Sequence, residues 1–93
     1  MKLIFTRRAT RQIEAVIEYI GKESPQGARR VRERLQTVTE LLIEQPYVGH
    51  ATDLAGTRRM VVTPFPYVIF YRVTDDAVII QRVRHTSRNP AGR

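Results

Sequence analysis

The chain has 93 residues, with 16 Lys and Arg against nine Asp and Glu, a net charge of +7 and a pI near 10.8. That length suits one domain of two layers around a single core, and 42% hydrophobic with 27% charged residues excludes a disordered segment. The absence of cysteine excludes disulfides and thiolate metal sites, and no apolar run approaches the roughly 20 residues that span a bilayer.

A basic excess of this size favours acidic partners, either nucleic acid or an acidic protein segment. Residues 1–45 hold nine Lys and Arg against six acids, and residues 46–93 hold seven against three, so the charge is spread over both halves. Met1 to Phe5 leads at once into Thr6-Arg7-Arg8, too short an apolar run for a secretory leader. The expectation is a soluble cytoplasmic protein without membrane partners.

Lys2-Leu3-Ile4-Phe5 reads as a first strand, and Thr6 as the N-cap of the helix that follows. Ala9, Ile13, Val16, Ile17 and Ile20 fall on one face of that helix, with Arg7, Arg11, Glu14 and Glu18 elsewhere. Glu14 and Glu18, four residues apart, read as a solvated face in preference to an acid–base or metal pair. Gly21 is the expected stop, and Ser24-Pro25 opens a second helix with Ser as cap and Pro at its first position.

The second helix carries Ala28, Val31, Leu35, Val38 and Leu42 in a heptad-like seam and stops before Pro46. So short a connection makes the two helices an antiparallel hairpin. Leu41 and Ile43 lie off the seam, either packed on a sheet or left as an apolar edge for a partner. Arg29, Arg30, Arg32 and Arg34 wrap around the helix and read as solvated. Pro46 to Ala55 has turn residues and no sustained period, so it reads as a loop, with His50 solvated within it.

Three strands follow. Val61-Val62, Tyr67 to Tyr71, and Val78-Ile79-Ile80 with Val83 are β-branched and aromatic clusters. Pro64 and Pro66 break the first connection, and Asp75-Asp76 suits a tight hairpin at the second. Arginines thread these strands. Strict alternation puts Val78, Ile80, Arg82 and Arg84 on one face, and Ile79, Gln81, Val83 and His85 on the other. The predicted architecture is α+β, β-α-α-β-β-β, with a helical hairpin on one face of a mostly antiparallel sheet. One domain over 1–88 and a short polar tail at 89–93 complete it.

This order resembles the RelE/ParE superfamily of toxins from bacterial type II toxin–antitoxin modules. Four pieces carry the resemblance: Ala28 to Leu42 running into Pro46-Tyr47-Val48-Gly49; Gly56-Thr57-Arg58-Arg59; Pro66-Tyr67 through Arg72-Val73; and Val83-Arg84-His85 with Arg88 three residues on. In this order and spacing they look like the ParE, or plasmid-stabilisation, branch. The resemblance implies a toxin held inactive by a cognate antitoxin, typically a DNA-binding dimer whose acidic or amphipathic C-terminal segment wraps it. Val31, Leu35 and Leu42 of the apolar seam, with Leu41 beside it, are the expected antitoxin-binding surface.

The resemblance also implies one of two targets, because ParE-type relatives poison DNA gyrase and RelE-type relatives cut messenger RNA on the ribosome. Cutting RNA through its 2′-hydroxyl needs a base, charge stabilisation and an acid. Arginine serves the middle role and not the outer two, since it stays protonated at any working pH. Among the three strands His85 alone titrates near neutrality; no Glu lies beyond Glu44, and Thr86 stands where several nuclease relatives carry tyrosine. Tyr71 or Tyr67 could fill the tyrosine's place. Arg58, Arg59, Arg72, Arg82, Arg84 and His85 are the expected target-binding residues, with His85 and Tyr71 the catalytic candidates if there is chemistry. Gyrase poisoning is favoured over RNA cleavage, and a non-toxic nucleic-acid-binding module using Phe70 and Tyr71 as a stacking surface is the further alternative. The sequence offers no metal site and no cofactor motif.

Overall fold

The computed structural model describes residues 1–87; Arg88 and the polar tail at 89–93 lie outside the described residues. The elements run β1 (Lys2–Phe5), α1 (Arg7–Glu23), α2 (Pro25–Glu44), β2 (His50–Ala51), β3 (Arg58–Val61), β4 (Tyr67–Val73) and β5 (Ala77–His85). The five strands form one sheet in the order β1-β5-β4-β3-β2. Three neighbouring pairs are antiparallel and β1 runs parallel to β5, so the mostly antiparallel α+β layout holds.

Capping chemistry sets the helix ends. Thr6 Oγ1 accepts the Ala9 N–H at 3.0 Å to start α1. Ser24 serves both helices: its N–H donates to Ile20 O at 2.8 Å, and its Oγ accepts the Gly27 N–H at 2.9 Å. The hairpin joint is therefore this single extended residue, and α1 continues two residues past the expected stop at Gly21. At the other hairpin Thr74 N–H closes on Ala77 O at 2.8 Å around Asp75-Asp76, without any positive φ among the described non-glycine residues.

The core lies between the hairpin and one sheet face. Ala9, Val31, Leu35, Val38 and Leu42 pack on Ile69, Tyr71, Val78, Ile80 and Val83. Leu42, Ile69 and Ile80 are fully buried, each side chain worth roughly 1.5–3 kcal/mol of transfer free energy. Val31, Leu35 and Leu42, expected to meet an antitoxin, are instead 2%, 7% and 0% exposed. The seam turned inward because the sheet is the largest apolar surface within reach of it.

Two further corrections concern the strands. The segment 46–55 contains β2, a two-residue edge strand paired with Arg58 and Arg59. More consequential is a bulge in the β4–β5 ladder: Phe70 pairs with Arg82 while Tyr71 pairs with Ile80, leaving Gln81 as the extra residue. Val78, Ile80 and Val83 consequently share the core face. Arg82 and Arg84 turn to the opposite face, where strict alternation had placed them with Val78 and Ile80.

Candidate functional site

Tyr67, Ile69 and Tyr71 of β4 face the helices, so Val68, Phe70 and Arg72 point to the uncovered side of the sheet. Strand pairing fixes their neighbours: Arg59 of β3 and Arg82 of β5 flank Phe70, and Arg84 flanks Val68. The Arg82 guanidinium carbon lies 4.7 Å from the centre of the Phe70 ring, a cation–π contact. These side chains floor an open depression of about 420 Å³, walled on one side by Thr52, Asp53 and Leu54.

An unexpected residue of α1 stands near Arg82, outside the lining of the depression. Strand β5 outruns β1, whose pairing ends at Phe5 and Ile80, and the start of α1 covers the exposed edge. Thr6 N–H donates to Ile80 O at 3.0 Å, Thr6 Oγ1 donates to Gln81 O at 2.8 Å, and Gln12 Oε1 accepts the Val83 N–H at 2.7 Å. Arg8 lies on the turn between these two anchors. Burial holds the Arg82 guanidinium below the usual arginine range, and repulsion from Arg84 and Arg8 lowers it further. The first turn of α1 has no acid and holds Arg7 and Arg8, the unfavourable sign for the helix dipole. That acid-free first turn is the signal in the sequence, and the apolar face alone, which explains the helix, does not reveal it.

The expected site residues therefore divide. Arg59, Arg82, Arg84 and His85 come together with Phe70 in the lining of the depression, and Arg8 stands near Arg82 outside that lining. Arg72 shares the uncovered face but sits farther along it, beside the turn at Gly56, whose φ of +80° requires glycine. Arg58 pairs with Tyr71 on the helix side; it donates to Gly49 O at 2.6 Å and Tyr47 O at 3.2 Å and stacks 5.0 Å from the centre of the Tyr47 ring. It secures a loop and does not reach the depression.

Tyr71 is also held away. Its ring is fully buried, and its hydroxyl accepts the Gly49 N–H at 2.9 Å and donates to Pro46 O at 2.8 Å. Burial pushes this phenol up, against the Gly49 hydrogen bond and the Arg58 charge. His85 sits at the lip of the depression. Its ring packs edge-on to Tyr67 at 5.3 Å, and Nδ1 accepts the Ser87 N–H at 3.2 Å, which leaves Nε2 to carry the proton of the neutral ring.

A second surface lies across the molecule, where Leu3, Phe5, Ile13 and Leu35 line an apolar groove of about 440 Å³ between α1, α2 and the β1 edge. Of the residues expected to meet a partner there, Leu35 reaches the groove floor and Leu41 is half-buried outside its lining.

Comparison with known proteins places this architecture. Residues 3–90 match the family described as the ParE toxin of the type II toxin–antitoxin system, parDE. Toxin RelE2 of Caulobacter vibrioides is 41% identical over 87 residues, covering 94% of this chain and 97% of that protein. The chromosomal ParDE system from P. aeruginosa superposes with a TM-score of 0.80 at 19% identity, over 91% of this chain and 95% of the other. YafQ in the E. coli DinJ–YafQ complex gives 0.64 at 14% identity, over 92% and 93%.

Proposed function

The chain belongs to the ParE toxin family of type II toxin–antitoxin systems, and from that premise we propose that it arrests growth by poisoning DNA gyrase in the cytoplasm. The uncovered sheet face with Arg59, Arg82, Arg84 and Phe70 is its contact surface. The observation that carries this is that, among the described residues, no tyrosine lines the depression beside those arginines, which leaves His85 and Asp53 as its acid–base groups. The Tyr71 hydroxyl is buried on the opposite face with both hydrogen-bonding directions used, and Tyr67 faces the helices. Guanidinium groups bind and orient anions but do not exchange protons near neutral pH. A face built this way suits trapping a complex better than breaking a bond.

One observation favours ribosome-dependent RNA cleavage as a second reading. His85 stands at the lip of the depression with Nε2 uncommitted, where an imidazole could donate a proton to a leaving oxygen. Induction of the toxin alone, with DNA and protein synthesis pulse-labelled in parallel, separates the two. Gyrase poisoning lowers DNA synthesis first, whereas an earlier fall in protein synthesis supports cleavage by His85.

The cognate antitoxin, on this proposal, lays an acidic or amphipathic C-terminal segment into the groove of Leu3, Phe5 and Ile13. A net charge of +7 on the toxin favours such a segment, and the groove supplies the apolar contacts that order it.

A further inference from the structure

Arg59, Arg82 and Arg84 line one depression with Phe70, Arg8 stands near enough to Arg82 to repel its charge, and the spacing of these groups carries information. Arg82 and Arg84, two residues apart on one strand, project the same way at about 6.6–6.8 Å, a separation comparable to successive phosphates on an extended strand. Arg59 and Arg82 sit on either side of Phe70, one strand away each. Arg8 approaches from α1, beside the β5 edge that Thr6 and Gln12 anchor. Asp53, in the rim, is the one carboxylate lining the depression among the described residues.

We propose that Arg8, Arg82 and Arg84 form a phosphate seat beside a Phe70 stacking platform, so that the toxin holds a single DNA strand with an unpaired base. This rests on the proposal that the uncovered face is the target surface, and it makes DNA, and not gyrase protein alone, the occupant of that face. An acidic peptide would satisfy the arginines but has no use for a half-buried ring at their centre. An intact duplex hides the faces of its bases. A single strand exposes them, and every base has a face that stacks on an aromatic ring.

The test is fluorescence anisotropy of the full chain with a labelled oligo(dT) of about twelve nucleotides, the matching duplex, oligo(rU) and a poly-glutamate peptide. Oligo(dT) is expected to bind more tightly than the duplex or the peptide. Arg8→Gln weakens it about fivefold and lowers the salt slope by about 0.7. Phe70→Leu weakens it about tenfold with the salt slope unchanged. Arg29→Gln, which removes an exposed charge on α2, changes neither.

Equal losses for Arg8→Gln and Arg29→Gln, or poly-glutamate binding as tight as oligo(dT), would overturn the proposal. So would oligo(rU) binding about tenfold tighter, which reassigns the seat to RNA. Gyrase cleavage run with the same variants keeps the two proposals apart. An Arg8→Gln protein that loses the oligonucleotide yet traps cleaved plasmid like wild type overturns the strand seat and leaves gyrase poisoning standing. Wild-type protein that binds the strand as described yet never traps cleaved plasmid overturns gyrase poisoning and supports the seat.

Discussion

Tyr71 accepts the Gly49 N–H at 2.9 Å across 22 residues of sequence, and this hydrogen bond ties the loop after α2 to the centre of the sheet. The same hydroxyl donates to Pro46 O, and Arg58 clamps Gly49 O from the neighbouring strand. The loop could not close this way around any larger residue. A Cβ at position 49 would lie 2.5 Å from the Tyr71 hydroxyl oxygen and 2.7 Å from Arg59 O.

Tyr71→Phe should therefore cost stability and not toxicity. Loss of the hydroxyl strands a buried N–H and releases a carbonyl, a cost of about 1–3 kcal/mol, to be read by urea denaturation. Growth arrest at a temperature where the variant is folded should match wild type. A variant that keeps full stability and loses toxicity would return Tyr71 to the list of catalytic groups.

The raised Tyr71 pKa gives this pair a pH signature. The folded phenol holds its proton to higher pH than the unfolded one, so its contribution is complete below the unfolded value of about 10. It is lost as pH rises through the folded value. Wild type should therefore lose stability relative to Tyr71→Phe as pH rises past about 10, as read from denaturation midpoints of the two proteins.

Gly49→Ala should destabilise by about 1–3 kcal/mol through overpacking. The double variant Gly49→Ala, Tyr71→Phe should recover part of that loss, because the atom nearest to the added methyl is gone. Thermal melts of the four proteins in the cycle measure it.

Core and partner surfaces should separate cleanly. Leu42→Ala, at a fully buried site, should cost about 2–5 kcal/mol. Phe5→Ser, at a side chain 39% exposed in the apolar groove, should leave arrest intact and weaken rescue by the coexpressed antitoxin. Unchanged rescue would move the antitoxin to another surface.

The helices and the strand clusters were legible because local chemistry marked them: Thr6 and Ser24 as caps, a seam from Ala28 to Leu42, and β-branched runs in β4 and β5. Which way the seam faced was not legible. Periodicity says that Val31, Leu35 and Leu42 share a side and is silent on whether sheet or partner covers it. The arginine face failed for a different reason. One extra residue, Gln81, reverses every side chain that follows it, and no property of Gln81 alone announces a bulge. Arg58 and Tyr71 illustrate the same limit, since each resembles a functional residue by type and is committed to the Pro46–Gly49 loop by tertiary contacts.

The central claim is that Arg82 and Arg84 act together on the uncovered face to trap gyrase on DNA. Replacing both with alanine removes a half-buried cation–π contact worth about 0.5–2 kcal/mol, so the fold should survive with a modest change in its melt. The direct measurement is cleavage of supercoiled plasmid by purified gyrase with wild-type toxin and with the double variant. Wild type should accumulate linear plasmid bound covalently to gyrase, and Arg82→Ala with Arg84→Ala should leave the plasmid supercoiled. Equal accumulation with both proteins, or none with either, would contradict the account.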